Sequence, residues 1–287
     1  MSREGYSDTG DFLVKKSSFH KPMLSMHYHA SYELYCLVEG EREYFIGDRF
    51  FAVQSGDLVL IPPGLLHRTA GKGATRVLVH FTEASLRRFF SPETLRNLLH
   101  PHEPLIFRPG QEDRAYLFSV IDRLLHAYES MPENGEGLST AVFFLFELLF
   151  RMSITPNEYV SARYKDQRME KIVRYVNHNY GRITGLAELA EHFYLSKYHF
   201  CRLFSGELGV SPIAYLNMVR IRAACTLLWD PARSVTDVAM QCSFNSSSYF
   251  CKVFKEEMKM TPHTYRSQRL GTKRDVALHA NEGANNI

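Results

Sequence analysis

Long apolar runs are missing from this 287-residue chain. The longest, Ala141–Phe146 with Leu148–Phe150 beyond Glu147, falls short of the roughly eighteen residues a membrane span needs and reads as a buried helix. The first residues show no basic segment followed by an apolar one, so a secretion signal is not expected. Cysteine is scarce. The five present, at 36, 201, 225, 242 and 251, are an odd number without Cys-x-x-Cys spacing, which fits reduced thiols in a cytosol better than disulfides or structural zinc. There is no glycine-rich phosphate loop, no nucleophile elbow and no spacing that supports a catalytic triad, so no enzymatic activity and no cofactor are expected. What is present is apolar content of 45%, enough for packed cores, in a chain long enough for two domains.

Charge is divided unevenly. Residues 166–270 carry 14 Lys and Arg against 9 Asp and Glu, while residues 1–165 carry 18 against 20. A basic C-terminal half beside a slightly acidic N-terminal half points to a polyanion as partner of the former only.

Between about Ser18 and Phe81 the pattern is that of short strands. The runs Glu33–Val38, Glu43–Ile46, Leu58–Ile61 and Arg76–Phe81 are separated by turn signals such as Gly47-Asp48 and Pro62-Pro63-Gly64. That spacing predicts a small barrel or jelly roll. From Asp113 the period becomes helical. Tyr116, Val120, Ile121, Leu124 and Leu125 fit one face, and Leu138–Met152 is a second helix, apolar nearly all round. Such helices bury themselves on the barrel or on another subunit. Residues 155–167 read as a linker, residues 1–10 and 271–287 as frayed ends.

Beyond the linker the chain repeats itself. Phe200, Cys201, Phe204, Glu207, Pro212 and Tyr215 return fifty residues later as Phe250, Cys251, Phe254, Glu257, Pro262 and Tyr265. In each copy a short helix, Leu186–Phe193 or Val235–Cys242, precedes a longer one with a divided surface. Phe200, Leu203, Phe204 and Leu208 line one face of the first, Phe250, Val253, Phe254 and Met258 one face of the second. The opposite faces carry Lys197, Tyr198, Cys201 and Arg202, and Ser247, Ser248, Tyr249 and Lys252. Two copies are too few for a solenoid, and each has room for one helix-turn-helix, so a duplicated DNA-binding unit is predicted. A major groove admits one helix, whose outer side chains reach base edges; an Arg there bonds guanine O6 and N7 together.

Residues 168–269 resemble the DNA-binding domain of the AraC/XylS family of bacterial transcription regulators, including the small Ala190 and Ala239 in the first helix of each unit. The resemblance implies two helix-turn-helix units joined by a long helix, here Pro212–Trp229, with the second helix of each unit in the major groove. It makes Tyr198, Cys201 and Arg202 the first readers, with Lys197 a phosphate clamp, and Ser247, Ser248, Tyr249 and Lys252 the second set. Cys201 is an unusual reader because a thiol hydrogen-bonds weakly. Arg220 and Arg222 are expected to be structural or backbone-facing.

The N-terminal half holds a second constellation, His27-x-His29-x3-Glu33-x6-Gly40 followed by Gly56-x5-Pro62-x-Gly64-x2-His67. Odd spacing sets His27, His29 and Glu33 on one strand face, joined by Tyr35 and Leu37. The spacings resemble the two cupin motifs, although the glycine that usually opens the first is Lys21 here. The resemblance implies an effector site at His27, His29, Glu33, Tyr35 and His67, suited to a hydroxyl-rich small molecule such as a sugar. A metal on His27, His29, Glu33 and His67 is the less favoured alternative, as is a metal-dependent cupin enzyme fused to a DNA-binding domain. His100, His102 and His126 are expected to be ordinary surface residues.

The expected architecture is α+β. A cupin-like barrel with flanking helices at 11–154 precedes an all-α double helix-turn-helix domain at 168–270. The expected partners are double-stranded DNA, a small-molecule effector, a second copy of the chain and RNA polymerase, in the cytoplasm and without a membrane.

Overall fold

The computed structural model describes residues 12–19, 26–99, 104–130, 138–154, 161–162 and 167–267. The predicted frayed ends, His100 and His102 lie outside the described residues. The chain divides into two compact units, residues 1–164 and 165–287, each described by itself.

The first unit is a flattened barrel of two sheets. Strands β1 (Phe12–Phe19), β7 (Ala74–Phe81), β2 (Tyr32–Glu39), β5 (Leu58–Ile61) and β8 (Leu105–Phe107) form one sheet in that spatial order. Strands β6 (His67–Ala70), β3 (Glu41–Ile46), β4 (Arg49–Gln54) and β9 (Ser161–Ala162) form the other. All pairings are antiparallel. The four strand-like runs of the sequence fall within β2, β3, β5 and β7. The expected linker is interrupted, since β9 lies inside it and adds to β4 through Phe50 and Phe51.

Between the sheets lie Tyr35, Leu37, Val59, Ile61 and Leu78 from one side and Tyr44, Ile46, Phe51 and Val53 from the other. Strand β2, inside the five-stranded sheet, is buried on both faces, which explains why Tyr32–Leu37 shows no polar alternation. Its second face packs Leu34, Cys36, Leu60, Val77 and Val79 against helices α2 (Pro92–Leu98), α3 (Gln111–Glu129) and α4 (Leu138–Ile154), with the single turn α1 (Glu83–Leu86) beside them. On α3 the buried stripe is Leu117, Val120, Ile121, Leu124 and Leu125. Tyr116, predicted on that stripe, is 45% exposed. It lies one step off the 3.6-residue repeat, and its hydroxyl donates to Glu147 of α4 at 3.0 Å.

Turn geometry sets the hairpins. Gly40, between β2 and β3, has φ +99°, and a Cβ there would lie 2.8 Å from the Gly73 carbonyl oxygen, so only glycine fits. Asp57, fully buried, accepts from the Gln54 amide at 2.9 Å and from Arg108 at 2.7 Å, closing the turn before β5.

The second unit is helical throughout: α5 (Gln167–Asn179), α6 (Leu186–His192), α7 (Lys197–Leu208), α8 (Pro212–Leu227), α9 (Val235–Gln241) and α10 (Ser247–Met258), with residues 262–267 helical as well. Serine starts four of them. Ser196, Ser211, Ser234 and Ser246 each accept the amide three residues on, the side-chain N-cap that serine favours, and Pro212 follows Ser211 at the first helical position. The two copies differ by one residue in the turn. α6 and α9 begin 49 residues apart, whereas α7 and α10 begin 50 apart. Both turns close alike: Leu195 donates to the Ala190 carbonyl and Phe244 to that of Ala239. The intervening Tyr194 and Ser243 take the left-handed conformation at φ 55° and 57°.

Candidate nucleic-acid interface and effector site

In the helical unit, α7 and α10 are positioned by their apolar faces. Phe200, Phe204 and Leu208 are fully buried, as are Phe250 and Phe254, with Val253 nearly so. Phe204 meets Tyr215 of α8 edge-on at 5.4 Å, and Phe254 meets Tyr265 at 5.7 Å, so the same aromatic pair seats each copy. The opposite faces point outward. Lys197, Tyr198 and Arg202 are exposed, as are Ser248, Tyr249 and Lys252, while Cys201 and Ser247 are half-buried. Tyr198 is 77% exposed, and the Arg202 guanidinium lies 5.9 Å from its ring centre. Tyr249 is tied down. Its hydroxyl accepts from Asn217 of α8 at 3.1 Å, an interaction that no pattern within the repeat foretells.

Arg220, on the inner side of α8, is buried and ties the unit together. It donates to the Tyr180 carbonyl at 3.0 Å and to that of Ile183 at 2.6 Å, in the segment between α5 and α6. Its charge also lies 5.8 Å from the ring centre of Phe244 in the second turn.

In the barrel, Glu33 is the centre of a polar cluster between the sheets. It is 3% exposed. His29 Nε2 lies 3.1 Å from Glu33 Oε2, His80 Nε2 3.6 Å and His67 Nε2 3.8 Å, and Tyr44 donates its hydroxyl to Oε1 at 2.9 Å. The imidazoles crowd one another, with ring centres 4.3 Å apart for His27 and His67 and 4.9 Å for His29 and His80. Backbone pairing of His27 with His67 brings the two motifs together across the barrel. Burial alone would raise the Glu33 pKa; the hydrogen bond from His29 and the charges of His67 and His29 outweigh it and hold the carboxyl well below the usual range. Burial and the Glu33 charge push the Tyr44 hydroxyl far up.

All five predicted effector residues therefore line one interior, and two more join them. His80 pairs with Glu33 in the β2–β7 register, and Tyr44 reaches over from β3. Parity along β7 places His80 on the same face as Arg76, but nothing in the sequence says that β7 lies beside β2. The ligand atoms of His27, Glu33 and His67, and those of His29, Glu33 and His80, lie within 4.8 Å of one another, close enough to hold a transition metal. Tyr35 lies deeper, fully buried, with its hydroxyl lacking a hydrogen-bond partner. His126 is exposed, as an ordinary surface residue is. No helix among the described residues is long and apolar enough to cross a membrane.

Comparison with known proteins agrees with both halves. The chain matches a helix-turn-helix domain family over residues 189–268 and a cupin domain family over residues 20–81. It is 24% identical to the uncharacterized HTH-type transcriptional regulator YdeC of Bacillus subtilis over 252 residues, covering 85% of this chain and 86% of the relative. It is 23% identical to the HTH-type transcriptional activator RhaR of Mannheimia succiniciproducens over 271 residues, covering 93% and 96%. With the arabinose operon regulatory protein of Escherichia coli it shares 25% identity over 231 residues, covering 80% and 78%. All three relatives are named as regulators, and none of those names describes an enzyme. The chain belongs to the AraC-type family of DNA-binding transcriptional regulators, with a cupin domain preceding its helix-turn-helix domain.

Proposed function

We propose that this regulator reads DNA with α7 and α10 and is switched by a small hydroxyl-rich molecule, a sugar or related metabolite, held in the barrel. The observation that carries the first part is the pair of capped helices whose buried aromatic faces leave Lys197, Tyr198 and Arg202, and Ser248, Tyr249 and Lys252, turned outward. On B-DNA such a pair serves two successive major-groove segments about 10 bp apart. Arg202 is the base reader, Lys197 a phosphate contact, and Cys201 and Ser247 flank them. Ser and Thr hydroxyls accept or donate to several bases, so the second helix discriminates less than the first and adds affinity and register.

Binding measured by fluorescence anisotropy on an operator and on random DNA tests the assignment. Arg202→Ala weakens operator binding by about 1–3 kcal/mol and relaxes preference at one base pair, whereas Lys197→Ala weakens all sequences alike and lowers the salt slope by about one. Equal loss on both DNAs for Arg202→Ala refutes the readout.

The sensor reading is supported by the interior cluster at Glu33, where His27, His29, His67, His80 and Tyr44 converge. Such groups hydrogen-bond to hydroxyls in a protected site. One relative is named as the regulator of an arabinose operon, which adds a sugar to the first compounds to try. A rise in the barrel's melting temperature with one member of a sugar panel supports it, and loss of that rise in His67→Ala locates it. A second reading, a transition metal at Glu33, is favoured by the 4.8 Å clustering of ligand atoms and is tested by metal analysis of purified protein.

As partners we infer a second copy of the chain and, on DNA, RNA polymerase, in the cytoplasm. The dimer is supported by α4, where Phe143, Phe150 and Ile154 are 65%, 43% and 63% exposed along one side.

A further inference from the structure

The barrel interior is polar at both ends. One end is the Glu33 cluster; the other holds two buried guanidiniums. On β7, Arg76 and His80 share the inner face with Leu78, and on β3, Arg42 shares it with Tyr44. Arg42 is 3% exposed and Arg76 5%. Arg42 donates to the Lys72 carbonyl and, at 3.3 Å, to Thr69 Oγ1, and its Nε is buried without a hydrogen-bond partner. Among the described residues no carboxylate lies within ion-pair distance of Arg42. Both guanidiniums lie against one ring, Phe19, at 4.7 and 4.8 Å from its centre, and Arg76 lies 5.6 Å from that of Tyr35.

Two like charges sunk in a barrel repel each other and lose their hydration. Burial, and the charge of Arg76 beside it, lower the tendency of Arg42 to hold its proton. The face of an aromatic ring is a weak stand-in for an anion. A fixed, planar, five-donor fork is suited to a carboxylate, and two such forks lie against the one ring of Phe19, with Tyr35 beside Arg76. Tyr35 links this end to the other: its ring meets that of Tyr44 at 5.0 Å, and Tyr44 bonds Glu33.

We propose that the barrel binds an organic carboxylate, with Arg42, Arg76 and the Tyr35 hydroxyl holding the carboxylate and the Glu33 cluster facing the hydroxyl-bearing remainder. The proposal rests on the reading of the barrel as the effector site and narrows it from neutral sugars to acidic ones.

The full chain is melted in sodium acetate, sodium gluconate, sodium phosphate and sodium chloride at equal ionic strength, with neutral sorbitol as the match for gluconate. Acetate and gluconate are expected to raise the barrel transition by about 2 °C or more over chloride. Arg42→Met, which keeps the length of the side chain and removes the fork, is expected to abolish the rise. A rise that persists in R42M is a general salt effect and overturns the proposal, as does a rise with phosphate but not with acetate or gluconate. Should R42M fail to fold, Tyr35→Phe removes only the unpartnered hydroxyl; an undiminished acetate rise in Y35F overturns the proposal. Stabilisation by neutral sugars with none by the carboxylates refutes the anion and leaves the sensor reading standing. No stabilisation by either removes both.

Discussion

Replacing Arg220 by Met tests whether one buried side chain holds the two helix-turn-helix units in a single arrangement. The guanidinium makes three hydrogen bonds to two carbonyls, from Nε at 3.1 Å and Nη2 at 3.0 Å to Tyr180, and from Nη2 at 2.6 Å to Ile183. These carbonyls belong to the segment after α5, where a helix end leaves acceptors without partners. Bonds from a charged donor are worth roughly 1.5–3 kcal/mol each, and an acceptor left dry loses about 1–3 kcal/mol. Two carbonyls therefore set the gross loss at about 3–6 kcal/mol. Against this stands the desolvation of the guanidinium, which lowers its pKa and which Met does not suffer. The expected net loss is about 3 kcal/mol, or a fall of more than 10 °C in the melting temperature of a unit of this size. The chain has one tryptophan, Trp229, which lies just after α8. Its fluorescence therefore reports urea unfolding of the helical unit separately from the barrel. Arg220→Lys keeps the charge and forfeits the fork, and falls between wild type and R220M. A loss below about 1 kcal/mol in R220M would refute the reasoning, because it would mean that water replaces the guanidinium at both carbonyls.

Two further outcomes follow from local geometry. Tyr194 is 97% exposed with φ 55°, so its side chain gains little from packing while its Cβ strains the turn; Tyr194→Gly should stabilise the helical unit by about 0.5–1 kcal/mol in the same urea assay, and a loss would show that the ring has a partner. Tyr32 has its pKa pushed up to about 12 by burial and by the Glu83 charge, so its contribution is full below pH 10 and is lost as pH rises through the folded value; Tyr32→Phe should lessen the fall in barrel stability between pH 10 and 12 by roughly 2–3 kcal/mol, and an unchanged fall in calorimetry would show that the hydroxyl is hydrated.

The helical half was more legible in the sequence than the barrel, for a physical reason. A helix declares itself in neighbours three and four apart, and here the same divided helix did so twice, at α7 and α10. What escaped were contacts between copies and across helices: the extra residue in the second turn, and the bond from Asn217 to Tyr249. In the barrel, β2, β3, β5 and β7 showed as β-branched or aromatic runs. β1 carries Lys15, Lys16, Ser17 and Ser18, an edge strand whose polar side chains hide it, and β6 is four residues long.

The candidate sites divide in the same way. His27, His29, Glu33 and His67 were found because their spacing is local to two short motifs, whereas His80 and Tyr44 depend on which strands lie side by side. Arg42 and Arg76 were hidden further still, since an arginine in a strand near a turn ordinarily reaches solvent. Only the register, which sets Arg76 opposite Leu37 and carries Arg42 on the inner side of β3 with Tyr44, turns both inward. The parity that turns Glu33 and Tyr35 to the interior from β2 therefore operates on β3 and β7 as well. A barrel that kept only its Glu33 cluster would suit neutral hydroxyls. The two guanidiniums at the other end, with Arg76 four residues along β7 from the His80 that pairs with Glu33, are what favours a ligand that brings its own carboxylate.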